Sequence, residues 1–209
     1  MNVMPNLIFG VIYMDKQIII CIGRQYGSGG HEIGEKLSKK LGISFIDRKM
    51  LDKMVTSIKV DKKAADKYKR KRLFTRESDI VMDSVGAVVN ELQFDYITEM
   101  ADSGVSFVIV GRLGDQLLKG RKNVITIFIT GDNHARVSRI MEKYHVDLET
   151  AKEKISRHDR TRKHFHNTQL RNSWGNAKRY DLCINSSKLG IDKTVDYILE
   201  YVKLRNVYK

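Results

Sequence analysis

The chain has 209 residues, 42% of them hydrophobic, and carries 38 Lys and Arg against 25 Asp and Glu, which gives a net charge of +13. This length and composition suit one well-buried α/β domain, and they exclude two large domains or a chain dominated by disorder. The positive charge attracts polyanions such as nucleotide phosphates, nucleic acid or acidic lipid headgroups, but it does not choose among them.

The N-terminal segment and the two cysteines bear on location. Residues 1–14 are partly apolar but shorter than a membrane span, and they lack a basic start and a small-residue cleavage site. We therefore expect a cytoplasmic protein without membrane contact, with an N-terminal extension over 1–16 and a single domain over 17–209. Cys21 and Cys183 lie in apolar, strand-like runs. Free thiols in such runs behave as small buried hydrophobes, so we predict neither a disulfide framework nor a zinc site.

The first predicted elements are a strand, a glycine-rich turn and a helix. The strand covers about 17–22, and the helix runs from about Gly29 to Leu41. Between them the chain reads GRQYGSGG over residues 23–30. Glycines let backbone N–H groups converge without Cβ clashes, and the helix N-terminus adds partial positive charge where phosphate oxygens would lie. The pattern therefore predicts a phosphate cradle.

This cradle departs from the usual GxxxxGK[ST] pattern. Arg24 stands at the first glycine of that pattern, Gly30 stands at its lysine and His31 stands at its hydroxyl residue. Such a loop predicts phosphate binding, but without the lysine it does not by itself predict catalysis.

Apolar runs and their periodicity predict the remaining elements. In chain order they are a strand over 44–46, a charged helical region to about 58, a long amphipathic helix ending before 104, strands over 107–110 and 124–129, a helix over about 132–144, a helix from 147 into the charged stretch 156–171, a strand over 182–185 and a closing helix. The two central strands are continuous apolar runs, as in parallel sheets that are buried on both faces. In the long helix, the stripe that includes Leu92, Tyr96 and Met100 is predicted to be core.

Glycines and charged residues follow the predicted strands where these end. The glycine loop follows the first strand, Asp47 the second, Gly111 and Arg112 the third, and residues 130–132 the fourth. Because the carboxyl ends of parallel strands meet at one edge of a sheet, all of these are expected to face one crevice.

The charged stretch RHDRTR, residues 157–162, adds arginines to this set. Arg157 and Arg160 can share one face of a helix. Guanidinium groups bind phosphate oxygens bidentately and offset the charge on a phosphoryl group during transfer. A salt-bridged helix on the solvent side remains the alternative interpretation of this stretch.

Six motifs together resemble one protein family. They are GRQYGSGGHEIG (23–34), FIDRKMLDK (45–53), VIVGR (108–112), IFITGDNHARVSRIM (127–141), SRHDRTR (156–162) and DLCINSSKLGI (181–191). Over about 17–204 the chain resembles the cytidylate kinase-like branch of the P-loop nucleoside monophosphate kinases. The resemblance implies a three-layer α/β/α P-loop NTPase fold with a five-stranded parallel sheet. It also implies a helical, acceptor-binding insertion after strand two, at about 47–105, and an Arg-rich lid at about 150–178.

The resemblance also implies an activity and a site. Members of this family transfer the γ-phosphoryl group of ATP, with Mg²⁺, to CMP or dCMP. The residues matched to ATP and phosphate binding are Arg24, Gly27, Ser28, Gly29, Gly30, His31, Glu32, Arg136 and Arg139. Those matched to acceptor binding are Asp47, Lys53 and Arg112, and those matched to the catalytic lid are Arg157, Asp159 and Arg162. No metal ligand of the protein is implied.

Three positions depart from the family pattern. Gly30 replaces the loop lysine, Glu32 replaces the hydroxyl residue that helps to hold Mg²⁺, and Leu113 replaces the aspartate after the matched Gly-Arg pair. A GSGG loop without lysine is a recurring form in this branch, which leaves the acceptor of the branch open. Arg24, His31 or a lid arginine is expected to supply the missing charge.

Two other functions stay open at this point. The absent lysine allows a nucleotide-binding module without kinase turnover. The basic run 67–72 allows a nucleic-acid surface, although no aromatic platform accompanies it, so small-molecule nucleotides are the expected partners. The enlarged helical region between strands two and three is a candidate homodimer contact that its sequence pattern does not require.

Overall fold

The computed structural model describes residues 16–57, 84–169 and 174–207. Residues 1–15 of the predicted extension, the basic run 67–72 and part of the predicted acceptor-binding region lie outside the described residues.

Five strands form one sheet. They are β1 (Ile19–Arg24), β2 (Ser44–Ile46), β3 (Phe107–Val110), β4 (Val124–Thr130) and β5 (Leu182–Asn185). All neighbours pair in parallel in the order β2-β3-β1-β4-β5, and Ile20 of the central strand lies opposite Val108 and Ile125. The five-stranded parallel sheet is thus confirmed.

Helices connect the strands. They are α1 (Gly30–Leu41), α2 (Arg48–Ser57), α3 (Ser84–Asp102), α4 (Gly114–Leu117), α5 (Asn133–Tyr144), α6 (Leu148–Gln169) and α7 (Ser186–Val207), with a 3₁₀ turn at Ala177–Arg179. No helix in the described part of the chain is both long enough and apolar enough to cross a membrane.

The core lies on both faces of the sheet, because successive side chains of β1 point to opposite faces. Ile20 belongs to a cluster with Leu37 of α1 and Ile198 of α7. Ile19 belongs to a second cluster, on the other face, with Ile97 of α3. Each buried aliphatic side chain of this kind contributes about 2 kcal/mol to folding. The result is the expected three-layer α/β/α arrangement, which leaves the carboxyl ends of the strands uncovered by these layers.

Two expectations about strands need correction. The first strand begins and ends two residues later than predicted, because Gly23 and Arg24 continue to pair with β4. Cys21 is buried as expected, but Cys183 is exposed. The reason is that β5 is an edge strand whose neighbour Ile184 faces the core, so Cys183 points to the opposite, open side.

The long helix also differs in detail. Among the side chains of this helix whose burial the structure describes, residues 89–102, the most buried are Gln93, Ile97 and Ala101, each one residue after a member of the predicted stripe. Leu92 and Tyr96 are only partly buried. A glutamine is tolerated in this stripe because its amide nitrogen donates to Asp52 Oδ1 at 2.8 Å.

Candidate functional site

A cleft of about 700 Å³ lies at the carboxyl ends of the strands. Its lining combines the glycine loop, the first turn of α1, α5 and α6. We call α6 the lid helix because it holds most of the predicted lid. The cations of the lining include Arg24, Arg139 and Arg162. In open parallel sheets this edge is where ligands bind, because the loops there leave a crevice between them.

The loop conformation depends on two glycines. Gly27 and Gly29 have φ values of 80° and 77°, in the left-handed region that other residues avoid. A Cβ on Gly27 would lie 2.9 Å from the Arg136 carbonyl oxygen, and a Cβ on Gly29 would lie 2.2 Å from Ile191 Cδ1. The loop is therefore held tightly against α5 and α7, with the N-terminus of α1 directly after it.

Ser28 faces inward rather than into the cleft. Its side chain is buried, and its hydroxyl donates to the Gln25 carbonyl oxygen at 2.9 Å. The Ser186 hydroxyl in turn donates to the Ser28 carbonyl oxygen at 2.6 Å. Ser28 therefore braces the loop, and its backbone N–H also donates to the Gln25 carbonyl oxygen, at 3.4 Å. The N–H groups that start α1 have no intrahelical acceptor and are the natural phosphate donors.

Arg136 and Asp159 form a clamp beneath the loop. The Arg136 side chain is only 5% exposed; its guanidinium pairs with the Asp159 carboxylate, and its Nε donates to the Tyr26 carbonyl oxygen at 2.7 Å. Asp159 Oδ1 accepts the Tyr26 backbone N–H at 2.7 Å. Arg136, which the sequence matched to phosphate binding, and Asp159, which it matched to the catalytic lid, are thus both occupied with holding the loop against α5 and α6.

Tyr26 fastens the lid helix to the loop. Its ring stacks on His158 with 4.1 Å between centroids, and the Arg162 guanidinium lies 5.3 Å from the ring centroid. Arg162 Nη1 also donates to the Arg24 carbonyl oxygen at 3.2 Å. Burial, followed by a hydrogen bond with Tyr144, raises the pKa of Tyr26 to about 12, so the phenol is neutral at physiological pH.

Arginines concentrate positive charge in the cleft. Burial, together with the nearby charges of Arg162 and Arg112, lowers the pKa of Arg24 to about 9, which leaves it charged at neutral pH. Arg139 lies next to Gly29, and its Nη1 is 3.7 Å from the Glu32 carboxylate. The buried Nε of Arg139 has no hydrogen-bond partner among the described residues. The cleft is therefore electrostatically prepared for a polyanion.

Asp47 connects the loop to the predicted acceptor side. Its Oδ2 is 2.9 Å from His31 Nε2, and its Oδ1 accepts the Met50 N–H at 2.8 Å, which caps α2. Burial raises the pKa of the Asp47 carboxyl, but the hydrogen bonds from His31 and Met50 outweigh it and hold the pKa below its usual value. This carboxylate is charged at neutral pH.

Arg112 lies behind Asp47 in a polar network of its own. The backbone is left-handed at Arg112, with φ 59°, which turns the side chain back toward α2 and α3. Its Nη2 is 3.4 Å from Asp52 Oδ1 and its Nη1 donates to Asn90 Oδ1 at 3.3 Å. The buried Nε has no hydrogen-bond partner within the described chain. The described contacts therefore leave one buried donor of this guanidinium unsatisfied.

Lys53 and Arg157 are predicted site residues that do not line the cleft. Lys53 is exposed on α2, and Arg157 is exposed on α6. Arg162 is the arginine of the charged stretch that reaches the loop.

The sequence interpretation missed four contributors: Tyr26, Asp52, Asn90 and Gln93. Asn90 and Gln93 interrupt the apolar pattern of α3, and this interruption was the signal that could have identified the network around Arg112. Tyr26 carried no such signal, since only its stacking on His158 assigns it a role.

Comparisons with known proteins identify relatives of this chain and solved structures with a similar fold. The cytidylate kinase of Methanococcus vannielii is 26% identical over 188 residues, which cover 89% of this chain and 100% of that protein. The crystal structure of an uncharacterised protein from Eubacterium ventriosum is 31% identical and has a TM-score of 0.73, covering 90% of this chain and 99% of that one. A sugar kinase from Janibacter sp., 13% identical with a TM-score of 0.51, covers 90% of this chain and 95% of that chain and shares the fold alone.

The family comparison covers most of the sequence. Residues 19–188 match the model of the cytidylate kinase-like family, a span that includes the loop, the clamp and the lid helix. The chain belongs to the cytidylate kinase-like family.

Proposed function

We propose that the protein transfers the γ-phosphoryl group of ATP, bound with Mg²⁺, to a nucleoside monophosphate, and that this acceptor is CMP or dCMP. One observation carries this proposal: the cleft at the carboxyl ends of the strands is lined by a phosphate-type loop, and His31 of that lining lies 2.9 Å from Asp47, where the predicted acceptor-binding region begins. Family membership and the similarity to a cytidylate kinase support the choice of a cytidine acceptor.

In this proposal the donor nucleotide lies along the loop. The N–H groups at the start of α1 bind its phosphate oxygens, and Arg139 and Arg162 offset their charge. The Glu32 carboxylate in the first turn of α1 would offer the Mg²⁺ of a bound Mg²⁺–ATP an oxygen ligand of the kind that this ion prefers, and the ion would offset charge on the phosphates.

The acceptor phosphate lies against Arg112 and the start of α2. Its oxygen forms a bond to the γ-phosphorus while the bond from that phosphorus to the β–γ bridging oxygen breaks, and the electron pair of the broken bond stays on ADP. The chain contributes position and charge rather than a covalent intermediate. Helix α6, fastened to the loop through Tyr26, excludes water from the reacting phosphates.

ADP release tests the proposal directly. ATP and Mg²⁺ are supplied with CMP, dCMP, UMP or AMP, and an acceptor-free sample serves as the control. We expect release that saturates with cytidine monophosphates and stays near the acceptor-free rate with AMP. Equal rates across the whole panel, including the acceptor-free sample, would contradict a nucleoside monophosphate kinase.

The alternative function is a nucleotide-binding module without turnover, and the absence of a side chain at Gly30 favours it. It predicts ATP binding with no acceptor-dependent ADP release. For either function we place the protein in the cytoplasm, with small-molecule nucleotides as its partners.

A further inference from the structure

The space that a side chain at residue 30 would need is already filled. A Cβ built on Gly30 would lie 2.6 Å from Arg24 Cβ, a distance that real Cβ atoms essentially never adopt, and 3.0 Å from Arg24 Cγ, which is also tighter than most real Cβ contacts. The backbone of Gly30 does not have a positive φ. Glycine is therefore required at position 30 for space, and the Arg24 stem is what takes that space.

A second glycine accommodates the other end of Arg24. A Cβ on Gly111 would lie 2.2 Å from Arg24 Nη1 and 3.1 Å from Arg24 Cζ. The guanidinium thus rests on the backbone that follows β3, immediately before Arg112. Gly30 thus leaves room for the aliphatic part of the Arg24 side chain, and Gly111 leaves room for its guanidinium.

The head of Arg24 lacks an anionic partner. The described residues give its guanidinium neither a hydrogen bond nor an ion pair within 4.0 Å, although Arg162 and Arg112 add positive charge nearby. Asp47 and Asp159 are close enough to attract it, but Asp47 is engaged with His31 and Asp159 with Arg136. A half-buried cation among like charges is stabilised by an anion, and the cleft that it lines is open to one.

We infer that Arg24 supplies the cation that a phosphate loop ordinarily takes from a lysine at the position of Gly30. Its stem passes from the end of β1 into the space of that lysine, and its guanidinium binds the phosphates of the nucleotide between the loop and Arg112. This inference rests on the proposed function, since it assigns the phosphate-binding cation of the same site. It also explains why Arg24 and Gly30 depart from the usual loop pattern together, since a side chain at residue 24 requires glycine at residue 30.

Nucleotide affinity tests the charge. Arg24→Gln keeps the stem that packs on Gly30 and removes only the cation, so the fold should be retained; Arg24→Lys keeps the charge. ATP affinity is measured by calorimetry without acceptor. We expect Arg24→Gln to weaken ATP binding by about tenfold or more, as the loss of a charge-assisted contact does. Arg24→Lys should recover much of this loss, and Arg179→Gln, an exposed arginine outside the cleft, should bind like the wild type.

The outcomes separate this inference from the proposed function. Wild-type protein that binds no ATP would contradict the proposed function itself. Wild-type protein that binds ATP, with Arg24→Gln binding equally well, would overturn the role of Arg24 and leave the kinase proposal standing.

Thermal unfolding tests the shared space without any ligand. Gly30→Ala should lower Tm in the wild-type background and should be tolerated once Arg24→Gly has removed the stem. The double variant Arg24→Gly with Gly30→Lys restores the usual loop chemistry, and we expect it to bind ATP more tightly than Arg24→Gly alone. Equal Tm losses for Gly30→Ala in both backgrounds would overturn the coupling.

Discussion

Two basic cavities lie at opposite edges of the same sheet. The cleft, of about 700 Å³, lies at the carboxyl ends of the strands. The far-edge cavity, of about 590 Å³, lies at their amino ends and is lined by Lys119, Arg121, Lys178, Arg179 and Arg205 among others. Size and sign of charge therefore do not distinguish a site from an ordinary depression in a protein whose net charge is +13.

The two cavities differ in how their cations are held. In the far-edge cavity, Arg121 pairs with Asp102 at 2.6 Å, Arg205 lies 3.1 Å from Asp181, and Arg179 is exposed. In the cleft, Arg24 is half-buried without an anionic partner among the described residues, beside the glycine loop and the N-terminus of α1. A phosphate site is distinguished by a fixed cation that has no anionic partner in the protein, because a bound phosphate then supplies the missing negative charge.

The largest expected effect is at Arg162. Arg162→Ala removes the lid guanidinium that reaches the loop, and we expect kcat to fall by about 10³-fold, at the lower end of what a transition-state arginine contributes. Steady-state kinetics with the cytidine acceptor measure it. Arg160→Ala, exposed on the same helix, is the matched control. Equal kcat values for the two variants would remove Arg162 from the mechanism.

The next effect is on stability. Asp159→Ala leaves the buried Arg136 guanidinium without its carboxylate, and we expect the free energy of unfolding to fall by about 3 kcal/mol. Chemical denaturation measures it, with the exposed Glu153→Ala on the same helix as the control. A loss of activity with unchanged stability would instead make Asp159 a catalytic residue.

A smaller effect is expected at Arg112. Arg112→Ala should raise the KM of the acceptor about 10- to 100-fold with a smaller change in kcat, since a charge-assisted contact present in both ground and transition states is lost. Arg48→Ala is the matched control, because Arg48 contacts the same Asp52 carboxylate from an exposed position. An unchanged KM for the acceptor would place acceptor binding elsewhere.

Substitutions in the far-edge cavity should have the smallest effect on activity. We expect the double variant Lys178→Ala with Arg179→Ala to change kcat and KM by less than about twofold, as exposed surface substitutions do. A larger loss would mean that the comparison between the two edges is wrong and that the far edge takes part in function.

Local pattern was enough for most of the fold. The apolar runs of β1, β3 and β4 predicted a parallel sheet, because only strands buried on both faces are apolar throughout. The chain order of strands and helices then brought the glycine loop, Asp47 and Arg112 to one edge. The burial of Gln93 and the exposure of Cys183 were not predictable in this way, because each depends on what a neighbouring element covers.

The candidate site, like the fold, has features that local sequence predicts and features that depend on tertiary contacts. The sequence by itself determined that a phosphate loop without its lysine follows β1 and that arginines cluster near it, because glycine spacing and charge are local properties of the chain. Only the tertiary structure decided which arginine is paired within the protein and which is left to bind a ligand. Arg136 is drawn beneath the loop by Asp159, whereas Arg24 enters the space left by Gly30 and rests on Gly111. The reason is physical: whether a guanidinium is satisfied by the protein or left for a ligand depends on contacts between segments that are far apart in the chain.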